Sequence, residues 1–204
     1  MMVFPFNSFL GSTWSAWIQH FFSVMISDYL NGGAQVNPAI SVGTYFYGWN
    51  DVTSMVVRIV GQMVGGTFAF PIMAAILPSY AVESMGGPVL AEDATVGLGM
   101  AWEFALTLVL TLVVYVAATQ IGLPAQRPVI ATGIRALIHV HAVNGGKTGS
   151  SMNPMISTAW YMYDKKVKID QAFFLVYWVA PIAGAVAGTV IWKFLEPKPK
   201  AKTD

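Results

Sequence analysis

One short phrase occurs twice in the chain, as Asn37-Pro38-Ala39-Ile40-Ser41 and as Asn153-Pro154-Met155-Ile156-Ser157, with Gly33 and Gly149 each four residues ahead of the Asn. Asn suits the residue that caps a helix start, and Pro suits the first helical position, so both copies read as helix beginnings. Each stays apolar for only two or three turns. At about 1.5 Å per residue that is too short to cross a hydrocarbon layer of about 30 Å. Only 10% of the 204 residues are Asp, Glu, Lys or Arg, 55% are hydrophobic and the mean hydropathy is +0.58. A soluble domain carries roughly 25% charged residues. The chain therefore belongs in a bilayer, where a short helix can enter only if protein surrounds it. Between the two copies lie three longer apolar stretches, at 54–77, 95–120 and 128–143. An odd number of crossings puts the two loops on opposite sides, so one repeat is inverted relative to the other, a pattern that points to a site near the midplane.

Two further apolar stretches, 9–30 and 171–195, complete a set of five expected spans around two re-entrant half-helices. The first is the least hydrophobic, holding Gln19, His20 and Asp28, and the fourth is short and contains Arg135. The expected organisation is a single all-α membrane domain: a first repeat over 1–89, a second over 90–195 and a polar tail over 196–204. Gln62-x-x-Gly65 in one repeat matches Pro181-x-x-Gly184 in the other. Gly61, Gly65, Gly66, Gly184, Ala185, Ala187 and Gly188 are small enough to let helix backbones approach in lipid. The first seven residues carry no Lys or Arg, so a cleaved signal peptide is not expected.

The formal charge of +1 offers no basic surface for nucleic acid, and zero cysteines exclude thiolate chemistry. The carboxylates Asp28, Glu103 and Asp170 are scattered over different segments, and the three histidines lack metal-ligand spacing. Neither an enzyme nor a metal or cofactor site is expected. Two half-helices entering from opposite faces would instead meet at their N-termini, where the positive ends of both dipoles converge. Asn37 and Asn153 would hold donor amides facing one another. Water passing that point would accept hydrogen bonds from them while protons and cations were disfavoured, so the arrangement implies a narrow path for small uncharged solutes.

These residues resemble the major intrinsic proteins, the family of aquaporins and glycerol facilitators. Gly33-Ala34-Gln35-Val36-Asn37-Pro38-Ala39 is similar to the family's first signature and Thr148-Gly149-Ser150-Ser151-Met152-Asn153-Pro154 to its second. Arg58-Ile59-Val60-Gly61-Gln62, Glu103-Phe104 and Val176-Tyr177-Trp178-Val179-Ala180-Pro181-Ile182-Ala183-Gly184 are similar to its third, fourth and sixth helices. The resemblance implies a pore centre at Asn37, Pro38, Ala39, Asn153, Pro154 and Met155, and a filter at Trp17, His141, Ser150 and Ile156, with Gln62 and Glu103 as structural polar groups. His139 is read as structural.

Departures from the family pattern touch the expected mechanism. Ile156 stands where a typical member has arginine, and Met155 where it has alanine. Such changes resemble the divergent branch called superaquaporins. The segment holding Trp17 aligns with the family's second helix, so the first helix, with a glutamate mirroring Glu103, has no counterpart here. Two functions follow: a passive channel for water or small neutral solutes with an altered filter, or an aquaporin-derived structural subunit of a larger membrane complex. Expected partners are membrane lipid, the solute, and a homo-oligomeric or other membrane subunit covering the open side. Arg135 is the candidate contact for a partner, lipid headgroup or pigment-like group. The expected setting is a multi-pass integral membrane protein; which membrane is left open by the sequence, an organellar or other intracellular one being compatible with it. Lys193, Lys198, Lys200 and Lys202 favour a cytoplasmic C-terminus, whereas Lys165, Lys166 and Lys168 oppose it.

Overall fold

The computed structural model describes residues 13–30, 35–83, 85–121, 129–130, 132–134, 136, 146–164 and 166–197. Arg135, His139, His141 and Gly33 lie outside the described residues, as does most of the expected fourth span, although residues 129–130, 132–134 and 136 are helical. The described elements are α1 (Thr13–Leu30), α2 (Pro38–Tyr47), α3 (Val52–Ile76), α4 (Ser79–Glu83), α5 (Val96–Gln120), α6 (Pro154–Tyr163) and α7 (Gln171–Leu195). All are helices. Among the described residues α3, α5 and α7, of 25 residues each, are long and apolar enough to cross a membrane. Helix α1 has 18 residues and is more polar, in keeping with its Gln19, His20 and Asp28.

Side chains that compete for backbone donors set the helix starts. Asp51 Oδ1 accepts from the Ser54 amide at 2.7 Å, Thr95 Oγ1 from Leu98 at 3.2 Å and Asp170 Oδ1 from Phe173 at 2.9 Å. Helix α2 stops at Gly48, whose φ of 102° suits a residue without Cβ and lets its amide reach the Thr44 and Tyr45 carbonyls. In α7, Pro181 has no amide proton to continue the ladder, and the turn before it, Leu175–Val179, widens into a π-helix in which the Ala180 amide reaches the Leu175 carbonyl. From this turn the Tyr177 hydroxyl donates to the Thr148 carbonyl at 2.9 Å.

The two repeats interlock. Half-helix α2 seats on α7 of the other repeat, where a Cβ added to Gly43 would lie 3.1 Å from Thr189 Oγ1. Half-helix α6 seats on α3 of the first repeat. The closest approach is between α5 and α7: a Cβ on Gly184 would lie 2.4 Å from the Phe104 carbonyl oxygen, and one on Gly188 2.9 Å from that of Leu108. Among the described residues α3 is the least buried of these three helices, with 11% of its most apolar stretch buried against 33% for α5 and 44% for α7.

Candidate functional site

The two Asn-Pro turns meet at the centre and are tied to each other by their own asparagines. Asn37 Oδ1 caps α2 by accepting from the Ala39 amide at 2.9 Å, and its Nδ2 donates to the Met152 carbonyl at 2.7 Å. Asn153 does the same in mirror image: Oδ1 accepts from Met155 at 3.0 Å and Nδ2 donates to the Val36 carbonyl at 2.9 Å. Each amide thus reaches the residue just before the opposite Asn. A carboxamide nitrogen has two hydrogens, so one per asparagine remains after the crossed bonds. Asn37, Pro38, Ala39, Asn153, Pro154 and Met155 are all buried.

The second loop is held by a dense polar framework. Ser150 and Met152 take positive φ, 49° and 50°, and Gly149 takes 68°. Left-handed residues are costly without Cβ-free freedom, so the framework must impose them. Glu103, with no exposed surface, supplies the anchor: Oε1 accepts from Thr148 Oγ1 at 2.6 Å and the Ser151 amide at 2.9 Å, and Oε2 accepts from the Met152 amide at 2.6 Å. Ser157 Oγ donates to Ser151 Oγ at 2.6 Å, pinning the loop to the first turn of α6.

The first loop is held differently. Gln62 Nε2 donates to the Gln35 carbonyl at 2.7 Å and to Ser41 Oγ at 2.9 Å, while Ser41 Oγ donates to Gln35 Oε1 at 3.0 Å. Ser41 and Ser157 are equivalents in the two phrases, and both bind the residue two places before the Asn. No carboxylate among the described residues plays the part of Glu103 here.

Of the expected filter residues, Trp17 is half-buried on α1 and its indole N–H donates to the Gly133 carbonyl at 3.2 Å, joining α1 to the 129–136 stretch. Ile156 is half-exposed. Ser150 has no exposed surface, and its hydroxyl oxygen accepts from Trp102 Nε1 at 3.1 Å. Trp102 was not singled out from the sequence, where nothing but its place next to Glu103 marks it. The Met155 side chain packs against α3: its Sδ and Cγ occupy the space left by Gly66, 2.5 and 2.6 Å from where a Cβ would stand.

Ahead of the second loop, Lys147 Nζ meets Asp93 Oδ2 at 2.5 Å, and the Ala91 amide donates to the Lys147 carbonyl at 2.8 Å. The lysine's hydrogen bond and charge hold the Asp93 carboxyl below its ordinary value of 3.8.

Comparison with known proteins supports this architecture. The X-ray structure of the aquaglyceroporin from Plasmodium falciparum matches with a TM-score of 0.66, covering 87% of this chain and 78% of that one; at 20% identity it speaks for the fold alone. Aquaporin SIP1-2 of Zea mays is 29% identical over 177 residues, 84% of this chain and 70% of the relative. Aquaporin SIP1-1 of Oryza sativa subsp. japonica is 28% identical over 182 residues, 84% of this chain and 72% of the relative. The major intrinsic protein description matches residues 9–192, and the chain belongs to that family, as an integral multi-pass membrane protein.

Proposed function

We propose that the chain is a passive membrane channel for water or small uncharged solutes, with Asn37 and Asn153 as its central donors. The crossed asparagine bonds carry this reading: they hold both carboxamides rigidly and leave one hydrogen on each for a passing oxygen. The N-termini of two half-helices at the same place add positive potential that disfavours cations and protons. Ile156, in place of a fixed cation, makes the filter less discriminating among neutral solutes, and Met155 packs its side chain against Gly66. Trp17, Ser150 and His141 complete the filter in this reading, with Trp102 orienting Ser150.

The test is osmotic shrinkage of liposomes containing the purified chain. Water permeability well above that of protein-free liposomes, reduced by Asn37→Ser or Asn153→Ser, is expected, since serine keeps a capping oxygen but loses the amide donors. Permeability equal to protein-free liposomes would overturn the channel. A second reading, a non-conducting structural subunit of a larger membrane complex, is favoured by α3 being the least buried of the three long helices among the described residues. It predicts that the chain purifies only in fixed proportion with other membrane proteins.

A further inference from the structure

The segment that leads to Asn153 is walled on several sides. Behind it stand Glu103, which accepts from the Ser151 and Met152 amides, and Tyr177 of α7, whose hydroxyl donates to the Thr148 carbonyl at 2.9 Å. Beside it runs α6, tied on by the bond from Ser157 to Ser151. At its head lies Pro88, whose Cα would be 2.9 Å from a Cβ on Gly149. The remaining side is met by Trp102. Val109 and Val113 face Ile130 and Ile134 across an apolar groove, and Trp102, seven and eleven residues before those valines, stands on the same side of α5. From there its indole N–H turns back to the loop and donates to Ser150 Oγ at 3.1 Å. Ser150 is left with no exposed surface, while Trp102 is itself half-buried.

A solute moving between that face of the membrane and Asn153 travels along this segment, because α6 begins at Asn153 and the loop covers the same depth in the opposite direction. A molecule stripped of water in a narrow passage must recover its hydrogen bonds from the wall, or lose about 1–3 kcal/mol for each polar group left without a partner. Groups already bonded within the protein offer little. Ser150 Oγ is taken by Trp102, the Trp17 indole N–H is taken by the Gly133 carbonyl, and the Ile156 side chain has no polar atom. The two asparagines keep one hydrogen each. Water, with one oxygen, can use them; a polyol or urea carries more polar groups than they can satisfy.

We propose that Trp102 is a specificity-determining residue of the channel: it withholds the Ser150 hydroxyl from the passing molecule and sets an indole in its place, so that water is admitted ahead of polyols and urea. This rests on the channel reading given above.

The chain has no cysteine, so single thiols can be placed in it. In proteoliposomes Ser150→Cys should react with the small neutral reagent methyl methanethiosulfonate at least about tenfold more slowly than Ile156→Cys, at a half-exposed position. Adding Trp102→Ala should remove the difference. Equal rates with Trp102 in place would overturn the proposal whether or not the chain conducts. Stopped-flow light scattering then gives the ratio of glycerol to water permeability. Trp102→Phe keeps an aromatic ring but lacks the N–H, and should raise that ratio at least about threefold, within the range of one hydrogen bond. Combining it with Ser150→Ala should restore the original ratio, since the gain requires the freed hydroxyl. A ratio unchanged by Trp102→Phe would overturn the proposal, as would a rise that persists in the double variant, which would mark a general loosening of the helices. Water permeability of the unaltered chain equal to that of protein-free liposomes would sink the channel reading and this proposal together. Conduction that is indifferent to Trp102→Phe would sink this proposal alone.

Discussion

A carboxylate with no exposed surface normally costs several kcal/mol in desolvation unless its lone pairs are filled. At Glu103 they are filled by two loop amides and the Thr148 hydroxyl, which is how Ser150 and Met152 are kept at positive φ. Glu103→Gln replaces one acceptor oxygen with a donor that must face an amide proton. The expected loss is about 3 kcal/mol, read as a lowered melting midpoint in detergent; an unchanged midpoint would mean the loop holds its shape without the acid. Gly66 and Met155 offer a pairwise test. Gly66→Ala drives Met155 from its niche and should lower stability by about 1–3 kcal/mol, whereas in a Met155→Ala background the same change should cost little. A double-mutant cycle with no coupling would show that Met155 is not held there. Asp93 gives a pH dependence of known sign. Its carboxyl titrates below 3.8 in the folded chain, so the stabilisation from Lys147 is complete above the ordinary carboxylate range and lost as pH falls through the folded value. The melting difference between wild type and Asp93→Asn should be flat above about pH 5 and vanish in stronger acid.

At the scale of helices, the same residue type has opposite consequences according to what faces it. Gly184→Ala sets a methyl 2.4 Å from a backbone oxygen that cannot swing aside, so α5 and α7 must part, at a cost of at least about 2 kcal/mol. Gly65→Ala, its counterpart, meets no described atom within 4 Å and should change stability by no more than about 0.5 kcal/mol. Thermal melts of the two variants side by side check the contrast. The sequence made both glycines visible but could not separate them, because the difference lies in a neighbour far away in the chain. The half-helices were legible for the opposite reason: Asn before Pro is a local start signal, and a ten-residue helix is short whatever surrounds it. Gln62 and Glu103 were legible only through the family resemblance, which marked them as structural polar groups without the different partners each takes. The fit of Met155 against Gly66, the π turn ahead of Pro181 and the Trp102–Ser150 bond depend on three-dimensional approach and left no periodic trace.

Across the whole molecule the two repeats share their backbone plan yet differ in how firmly each loop is anchored. The second loop is buried and bound to Glu103, while Gln35 and Val36 are half-exposed and held through Gln62, Ser41, the Gln35 side chain and Asn153. Hydrogen exchange reads this directly, since an amide exchanges only when its bond opens. In the purified chain the Gln35 and Val36 amides should exchange at least about tenfold faster than those of Ser151 and Met152, a difference equivalent to about 1.4 kcal/mol of protection. The half-helices that follow have the same length and the same Asn N-cap, so their first turns serve as internal standards and should exchange alike. Residue-resolved exchange on the Glu103→Gln variant completes the argument. If the acid is the source of the asymmetry, its loss should bring the second loop to the rate of the first and leave the first unchanged. Equal protection of both loops in the unaltered chain would instead mean that Gln62 and the crossed asparagines suffice, and that the symmetry of the fold is matched by a symmetry of stability.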